Sequence, residues 1–291
     1  MAKTADIQAL VDQMPALDVR KDKKRNRTYT TGKLTGPPWP EAQKVYDQIL
    51  AAGREGVAAV VGLLKATDDG ADYKARYVLG GLAAYVCRKG KDAQRAAVIE
   101  ALLSQLGRDR PTAIRRFVVR LLQAVGDGRA AGALAGLLAD EALCEPAAQA
   151  LLAIDPAKAA GAFRQALPKA PGKCRLTIVQ GLGAAGDAAS AGALREALAD
   201  AEREVRIAAA WGLANLADAA SADALIRAAD AEQPWERIQA AKACLLLAEK
   251  LQAAGRKRQA ARLYEHLRDT RKDPAERYLK DAAEKALAGA S

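Results

Sequence analysis

One sequence unit of about thirty residues recurs across the middle of the chain. Its clearest copy, EREVRIAAAWGLANLADAASADALIRAAD, spans residues 202–230. The preceding copy, GKCRLTIVQGLGAAGDAASAGALREALAD, spans residues 172–200, and two more begin near residues 110 and 140. A period of this length is typical of solenoid proteins, in which each unit buries its apolar face only by stacking on its neighbours. The sequence therefore predicts an array of stacked repeats.

The composition indicates that these repeats are helical. Hydrophobic residues make up 51% of the chain but aromatic residues only 4%, so Ala, Leu, Val and Ile must form the core. Alanine is the strongest helix former, and the β-branched residues are too scattered for strand-like runs. We expect an all-α solenoid of about seven stacked antiparallel helix pairs, wound as a right-handed superhelix.

The two ends of the chain differ from the repeats. We expect residues 1–40 to form an irregular basic arm or cap, because the run RKDKKRNR is followed by three closely spaced prolines. A short helix over Thr4–Met14 is predicted within this segment. Repeats are expected over residues 41–273, and a polar capping helix over residues 274–291.

Charge is distributed unevenly between the repeats and the ends. The net charge is +10, yet residues 111–230 hold thirteen Lys or Arg against thirteen Asp or Glu, so the excess lies outside them. A solenoid that binds nucleic acid would line its groove with Lys and Arg throughout. A protein partner is therefore favoured, and binding to nucleic acid is the alternative.

The segment EVRIAAAWGLANLAD, residues 204–218, resembles the HEAT repeats of bacterial proteins, especially the phycobilisome-lyase-type HEAT-like unit. The matching residues are Val205, Arg206, Ala209, Ala210, Leu213 and Asp218. Copies at 114–127 and 174–187 match in part, and residues 1–40 show no match. The resemblance implies an α-solenoid that binds other proteins. The same repeat also occurs in bilin lyases, and related folds occur in alkylpurine DNA glycosylases.

An arginine and an acidic residue recur at corresponding positions in most units. In one interpretation the arginine bridges to a carboxylate or to helix-end carbonyls and fixes the spacing of the repeats; in the other, an arginine ladder binds an acidic partner. We expect the structural role, because one unit replaces both residues together, with Glu145 and Pro156. The residues are Arg115 and Asp127, Arg175 and Asp187, Arg206 and Asp218, and Arg237 and Glu249.

The candidate partner-binding residues are arginines of the second helices and two tryptophans. The arginines occupy corresponding places in successive units, where they could meet an acidic segment of a partner, although charged residues at such places are often simply solvated. The candidates are Arg164, Arg195, Arg227, Trp211 and Trp39.

Motifs for catalysis or metal binding are not found in the sequence. The four cysteines are far apart, with no CxxC or CxxH pair, and His266 is the single histidine. There is no GxSxG, HExxH or Walker sequence, and no cluster of basic and aromatic residues stands out that would hold a bilin. We expect no catalytic residue, cofactor or metal, and therefore a non-enzymatic scaffold or adaptor. Bilin lyase-like or DNA glycosylase-like activity is the alternative.

The hydropathy of the sequence predicts no membrane span, because no stretch approaches about 18 uninterrupted apolar residues. The first residues, MAKTADIQAL, lack an apolar signal segment. We expect a cytoplasmic monomer, or an exported protein if a signal peptide has been removed.

Overall fold

The computed structural model of the protein describes residues 4–14, 16–22, 24–67 and 70–290. Helices dominate these residues, and the predicted all-α solenoid is confirmed. The chain divides into two compact units, one ending at Leu134 and the other beginning at Ala135. The repeats predicted for residues 41–273 therefore fall into both units.

The N-terminal unit consists of a helix, a hairpin and pairs of helices. We call the earlier helix of a pair the first helix and the later one the second helix. The elements are α1 (Thr4–Asp12), β1 (Ala16–Asp22), β2 (Arg27–Thr35), α2 (Trp39–Ala51), α3 (Gly53–Gly62), α4 (Tyr73–Val86), α5 (Asp92–Leu103) and α6 (Thr112–Val125), followed by the short α7 (Ala131–Ala135) at the unit boundary.

The C-terminal unit continues the same alternation. Its first helices are α8 (Cys144–Ile154), α10 (Gly172–Ala185), α12 (Arg203–Asn215) and α14 (Pro234–Ala253). Its second helices are α9 (Pro156–Ala166), α11 (Ala191–Ala197), α13 (Ala222–Ala229) and α15 (Lys257–Thr270), and α16 (Arg277–Ala290) comes last. α10 and α12 begin at or within one residue of the start of the sequence copies at residues 172 and 202.

The segment predicted to be an irregular arm is ordered. β1 and β2 form an antiparallel hairpin in which Ala16 pairs with Thr35 and Asp22 pairs with Arg27. The second strand contains the run RTYTTGKLT, whose threonines and tyrosine favour extended structure. Asn26, with a φ of 48°, takes the left-handed conformation that tight hairpin turns require. The prediction of an irregular segment was therefore wrong for these residues.

Helix α1 packs through its apolar face against the helices at the start of the array. Ile7, Val11 and Met14 are buried, and α1 contacts α2, α3 and α4. The Lys74 ammonium donates a hydrogen bond to the carbonyl oxygen of Asp12 at 2.7 Å, at the end of α1. The short helix expected over Thr4–Met14 thus covers the apolar side of the helices that follow it.

Two glycines allow the backbones of α10 and α12 to come unusually close. A Cβ atom added to Gly183 would lie 2.7 Å from the Cα of Gly212, which is closer than such atoms ordinarily approach. Neighbouring repeats therefore pack backbone against backbone at this point, and any side chain at position 183 would separate them.

We expect Gly183→Ala to lower the free energy of unfolding by about 1–3 kcal/mol, because the added methyl group overpacks the contact between the helices. Gly192→Ala is the matched control, because an added Cβ there meets nothing within 4 Å. It should be neutral or stabilising by up to about 1 kcal/mol, since alanine favours the helix. Urea unfolding measures both, and a Gly183→Ala protein as stable as the parent would contradict the close approach.

Candidate functional site

Three of the arginines predicted to fix the repeat spacing, Arg175, Arg206 and Arg237, contact both a preceding helix end and the next repeat. Arg206 of α12 makes two bonds to the carboxylate of Glu236, at 2.6 and 2.7 Å. It also donates to the carbonyl oxygens of Asp200 at 2.7 Å and Ala201 at 2.9 Å, which follow the preceding second helix. One guanidinium therefore joins the end of one repeat to the start of another.

The same arrangement recurs in the neighbouring repeats. Arg175 pairs with Asp200 and donates to the carbonyl oxygen of Leu167 at 3.1 Å. Arg237 pairs with the buried Glu276 at 2.6 Å. In the N-terminal unit, the buried Arg115 donates to the carbonyl oxygen of Leu106 at 3.1 Å, and other contacts of this residue are present as well.

The acids that recur with these arginines lie elsewhere and cap the second helices. Asp127, Asp187 and Asp218 each accept a hydrogen bond from the backbone N–H two residues later, at 2.9, 3.2 and 3.4 Å. This satisfies one of the N–H groups that a helix start leaves without an intrahelical acceptor. Where Pro156 replaces the acid, the preceding Asp155 accepts from the Lys158 N–H at 3.1 Å instead.

Glu249 departs from this pattern because of the length of its helix. α14 has 20 residues and continues through the position at which the other first helices end. Glu249 therefore lies exposed near the end of a helix rather than at the start of the next one. It makes no hydrogen bond or ion pair with the residues that the structure describes.

Two of the arginines predicted to bind a partner are engaged within the array. Arg164 of α9 pairs with Asp187 and donates to the Ser190 hydroxyl at 2.9 Å. Arg195 of α11 pairs with Asp218 at 2.5 Å in the same way. These arginines link one second helix to the cap of the next.

The third arginine, Arg227 of α13, is exposed and has no ion-pair partner among the residues that the structure describes. Arg164 and Arg195 each reach an aspartate 23 residues later, whereas the residue 23 positions after Arg227 is Lys250. Trp211, another candidate, is half-buried, and its indole N–H donates to the Gln239 side chain at 3.3 Å.

The fifth candidate, Trp39, lies in a cleft of about 430 Å³ in the N-terminal unit, which we call the aromatic cleft. The cleft is lined by aromatic rings and arginines from α2, α4 and the turn after α4, with small residues of α4 between them. The rings and guanidinium groups belong to Trp39, Tyr46, Tyr77, Tyr85, Arg76 and Arg88.

The rings of the aromatic cleft form one contiguous cluster. Trp39 lies 5.8 Å from Tyr85 in an edge-to-face arrangement and 6.2 Å from Tyr46, measured between ring centroids. The Arg88 guanidinium carbon lies 4.2 Å from the centroid of the Trp39 ring, a cation–π contact. Trp39 remains 43% exposed at the start of α2.

The floor of the aromatic cleft depends on glycine. A Cβ atom on Gly81 would lie 2.0 Å from the Tyr46 hydroxyl oxygen, so only glycine allows this hydroxyl to occupy its place. Tyr46 is 3% exposed, and burial, followed by a smaller effect of Tyr77, raises its pKa to about 12. The hydroxyl is therefore protonated at neutral pH and can donate a hydrogen bond.

The described lining of the aromatic cleft contains no Asp or Glu. Arg76 is held by Asp72, at 2.8 Å, but Arg88 has no carboxylate partner among the described residues. The expectation that no basic and aromatic cluster exists was therefore wrong. The sequence of α4 and of the turn after it could have indicated this cluster. Aromatic, basic and small residues recur there at roughly helical spacing: Arg76 and Tyr77, Gly80 and Gly81, and Tyr85 and Arg88.

The described residues contain no metal site, and the thiol of the buried Cys174 is unreactive. No three His, Cys, Asp or Glu side chains lie close enough together there to hold a metal ion. The buried Cys174 has a pKa raised to about 12, mainly by burial and secondly by its contact with Cys144, so its thiol is not a nucleophile at neutral pH.

Residues 160–245 match the family of HEAT repeats. This part of the chain carries HEAT repeats. The resemblance of residues 204–218 to this repeat is thereby confirmed, and HEAT repeats generally mediate protein interactions. None of the described helices is long and apolar enough to cross a membrane. A search of curated protein sequences found no significant match.

Several solved structures are similar to this chain at low sequence identity. An engineered protein is 20% identical with a TM-score of 0.45, covering 85% of this chain and 71% of its own. The complex of CpcE and CpcF of phycocyanin lyase from a Nostoc species is 17% identical with a TM-score of 0.39, covering 79% and 94%. Human deoxyhypusine hydroxylase is 19% identical with a TM-score of 0.34, covering 98% and 96%.

The ion pairs of the first-helix arginines make the stability of the protein dependent on pH. Arg206 lowers the pKa of Glu236 below its usual 4.5, mainly through its hydrogen bonds, so the unfolded chain takes up this proton at a higher pH than the folded chain. The resulting stabilisation is complete above the unfolded pKa and is lost as the pH falls through the lowered, folded pKa.

We therefore expect Glu236→Gln to cost about 1–2 kcal/mol at pH 7, and to reduce the fall in melting temperature between about pH 5 and pH 3. Glu265→Gln, which removes an exposed carboxylate of α15, is the control and should change neither quantity. Calorimetry at several pH values measures this. Identical pH profiles for Glu236→Gln and the parent would argue against the interaction.

Proposed function

We propose that this protein is a non-enzymatic scaffold that binds an acidic segment of another protein, with the aromatic cleft as the binding site. Protein interaction is the general work of HEAT repeats, which this chain carries. One observation supports the choice of site: Trp39 is the predicted partner-binding residue that lies in a cleft, beside an arginine without a carboxylate partner.

The ion pairs of the other candidates favour this choice. Arg164 and Arg195 already bind carboxylates of the array, so an acidic partner would have to displace Asp187 or Asp218. Breaking such a partly buried pair leaves a carboxylate without its counter-ion, which costs free energy. Arg88 and Arg227 have no carboxylate to lose among the described residues, and Arg88 lines the aromatic cleft.

The chemistry of the aromatic cleft suits a binding site. Its volume of about 430 Å³ lies within the usual range for ligand pockets, and aromatic walls with a few polar groups are typical of such pockets. Tryptophan, tyrosine and arginine are also the residues enriched at the energetic centres of protein interfaces. An acidic segment would supply the carboxylate that the described lining lacks.

Affinity capture from host extract with charge-reversal variants tests this proposal. We expect Arg88→Glu to lose a partner that the parent protein captures reproducibly, because it replaces an unpaired cation of the cleft with an anion. Arg227→Glu makes the same change on the exposed surface of α13 and should retain that partner. Quantitative mass spectrometry of the captured proteins measures both.

The results for the two variants distinguish the aromatic cleft from the surface of α13 as the binding site. Loss of the partner with Arg227→Glu alone would move the binding surface to α13, and retention with both variants would remove both surfaces from consideration. No reproducible partner for the parent protein would contradict the scaffold function itself.

The aromatic cleft also favours one second candidate, a bilin lyase-like function. A linear tetrapyrrole carries carboxylates and an extended π-system, which arginine and aromatic side chains can hold. Incubation with a bilin and an apo-phycobiliprotein tests this: a covalent visible adduct, lost in Trp39→Ala, would support the enzyme over the scaffold. The scaffold proposal expects no adduct.

A further inference from the structure

Several polar side chains in the lining of the aromatic cleft can donate hydrogen bonds to a ligand. They are the indole N–H of Trp39, the hydroxyls of Tyr46 and Tyr77, and the guanidinium of Arg88, and of these only the two hydroxyls can also accept a hydrogen bond. None of these groups has a hydrogen-bond acceptor among the residues that the structure describes. The Tyr46 side chain is buried as a whole, but its hydroxyl is not an enclosed atom and remains accessible to a ligand in the cleft.

The backbone of α4 adds no acceptors to the cleft, because its carbonyls are used within the helix. A ligand that fits this surface must therefore bring more acceptors than donors. An ordinary extended peptide brings one N–H for every carbonyl, and only the two tyrosine hydroxyls of the lining could accept from these N–H groups. Proline keeps its carbonyl and has no N–H, so a proline-rich segment matches a cleft in which donors outnumber acceptors.

The shape of the cleft suits the same kind of ligand. The floor runs along α4 from Tyr77 to Tyr85, a distance of about 12 Å at 1.5 Å per helical residue. No large side chain rises from this floor at Gly80 or Ala84, and a Cβ added to Gly80 would meet nothing within 4 Å. A polyproline II segment rises about 3.1 Å per residue, so about four residues cover the floor.

The aromatic walls and the positive charge of the cleft favour the same kind of ligand. Aromatic-lined grooves are the common binding sites for polyproline II segments, because proline rings pack on tryptophan and tyrosine faces at little cost in conformational entropy. Arg88, which has no carboxylate partner among the described residues, favours an acidic residue in the same segment.

We infer that the aromatic cleft binds a proline-rich, acidic segment of a partner protein in the polyproline II conformation. In this complex the carbonyls of the segment accept hydrogen bonds from Tyr46 and Trp39, and a carboxylate pairs with Arg88. The inference rests on the proposed function and names the chemistry of the partner segment.

The test is fluorescence anisotropy with a fluorescein-labelled peptide of sequence EPPLPPE. Two control peptides separate the contributions: KPPLPPK keeps the prolines and reverses the charge, and EGSLGSE keeps the charge and removes the prolines. We expect EPPLPPE to bind the intact protein about tenfold or more tightly than either control. Equal binding of EPPLPPE and EGSLGSE would reduce the interaction to charge alone and overturn the inference.

Gly80→Leu is the sharpest variant, because it fills the cleft without a clash in the folded protein. Leucine favours the helix more than glycine does, so the melting temperature should not fall, while binding of EPPLPPE should be lost. Gly192→Leu makes the same exchange at an exposed helical glycine of α11, outside the cleft, and should bind like the parent. Full binding by Gly80→Leu would contradict the inference.

Tyr46→Phe tests the hydrogen bond that the Tyr46 hydroxyl donates to the ligand. It removes one donor and leaves the ring, so EPPLPPE should bind about threefold to tenfold more weakly. Unchanged affinity would remove Tyr46 from the binding mode and overturn the hydrogen-bonding scheme.

The result also separates this inference from the function on which it rests. If the captured partner depends on Arg88 but EPPLPPE does not bind, the scaffold stands and the proline-rich segment is wrong. If EPPLPPE binds as expected but no partner is captured, the cleft has the inferred chemistry and the scaffold function is wrong.

Discussion

The guanidinium groups of the first-helix arginines bond to the end of one repeat and the start of the next. Arg206 shows this most fully, with two backbone carbonyls on one side and both carboxylate oxygens of Glu236 on the other. The planar guanidinium offers its donors in a fixed geometry, so these acceptors must keep a fixed separation. Because a single repeat cannot bury its apolar face alone, the alignment of neighbours determines whether the core of the array forms.

The ion pairs within the array also limit which charged residues can bind a partner. The second-helix residues Arg164 and Arg195 bind the aspartates that cap the following helices, so most of the recurring charge in the array is neutralised within it. Charged groups available to a partner are therefore those at which the repeat pattern is interrupted. Arg227 is free because the long α14 places a lysine where the acid would be, and Arg88 is free in a pair of helices outside the best-matched repeats.

The sequence predicted the fold well because the repeat period and the composition act on every unit alike. The pairing of Arg175 with Asp187 was not found, since contacts in a solenoid run between repeats, and the carboxylate of Asp200 lies nearer. The capping role of Asp187 could have been read from its place before a helix. The aromatic cleft was missed for a different reason: Trp39 and Arg88 are almost fifty residues apart, in units that match the repeat poorly.

The departure of the N-terminal helix pairs from the repeat pattern has a structural basis. Here α2 and α4 are connected by aromatic groups: the ring of Tyr46 packs on Tyr85, and the Tyr85 hydroxyl donates to Asp47 at 2.8 Å. This connection needs glycine at position 81, and the neighbouring Gly80 then leaves the face of α4 open. The aromatic connection between the two helices and the open face of α4 thus occur together. A local departure from the rules of a fold, supported by its own contacts, is typical of a functional site.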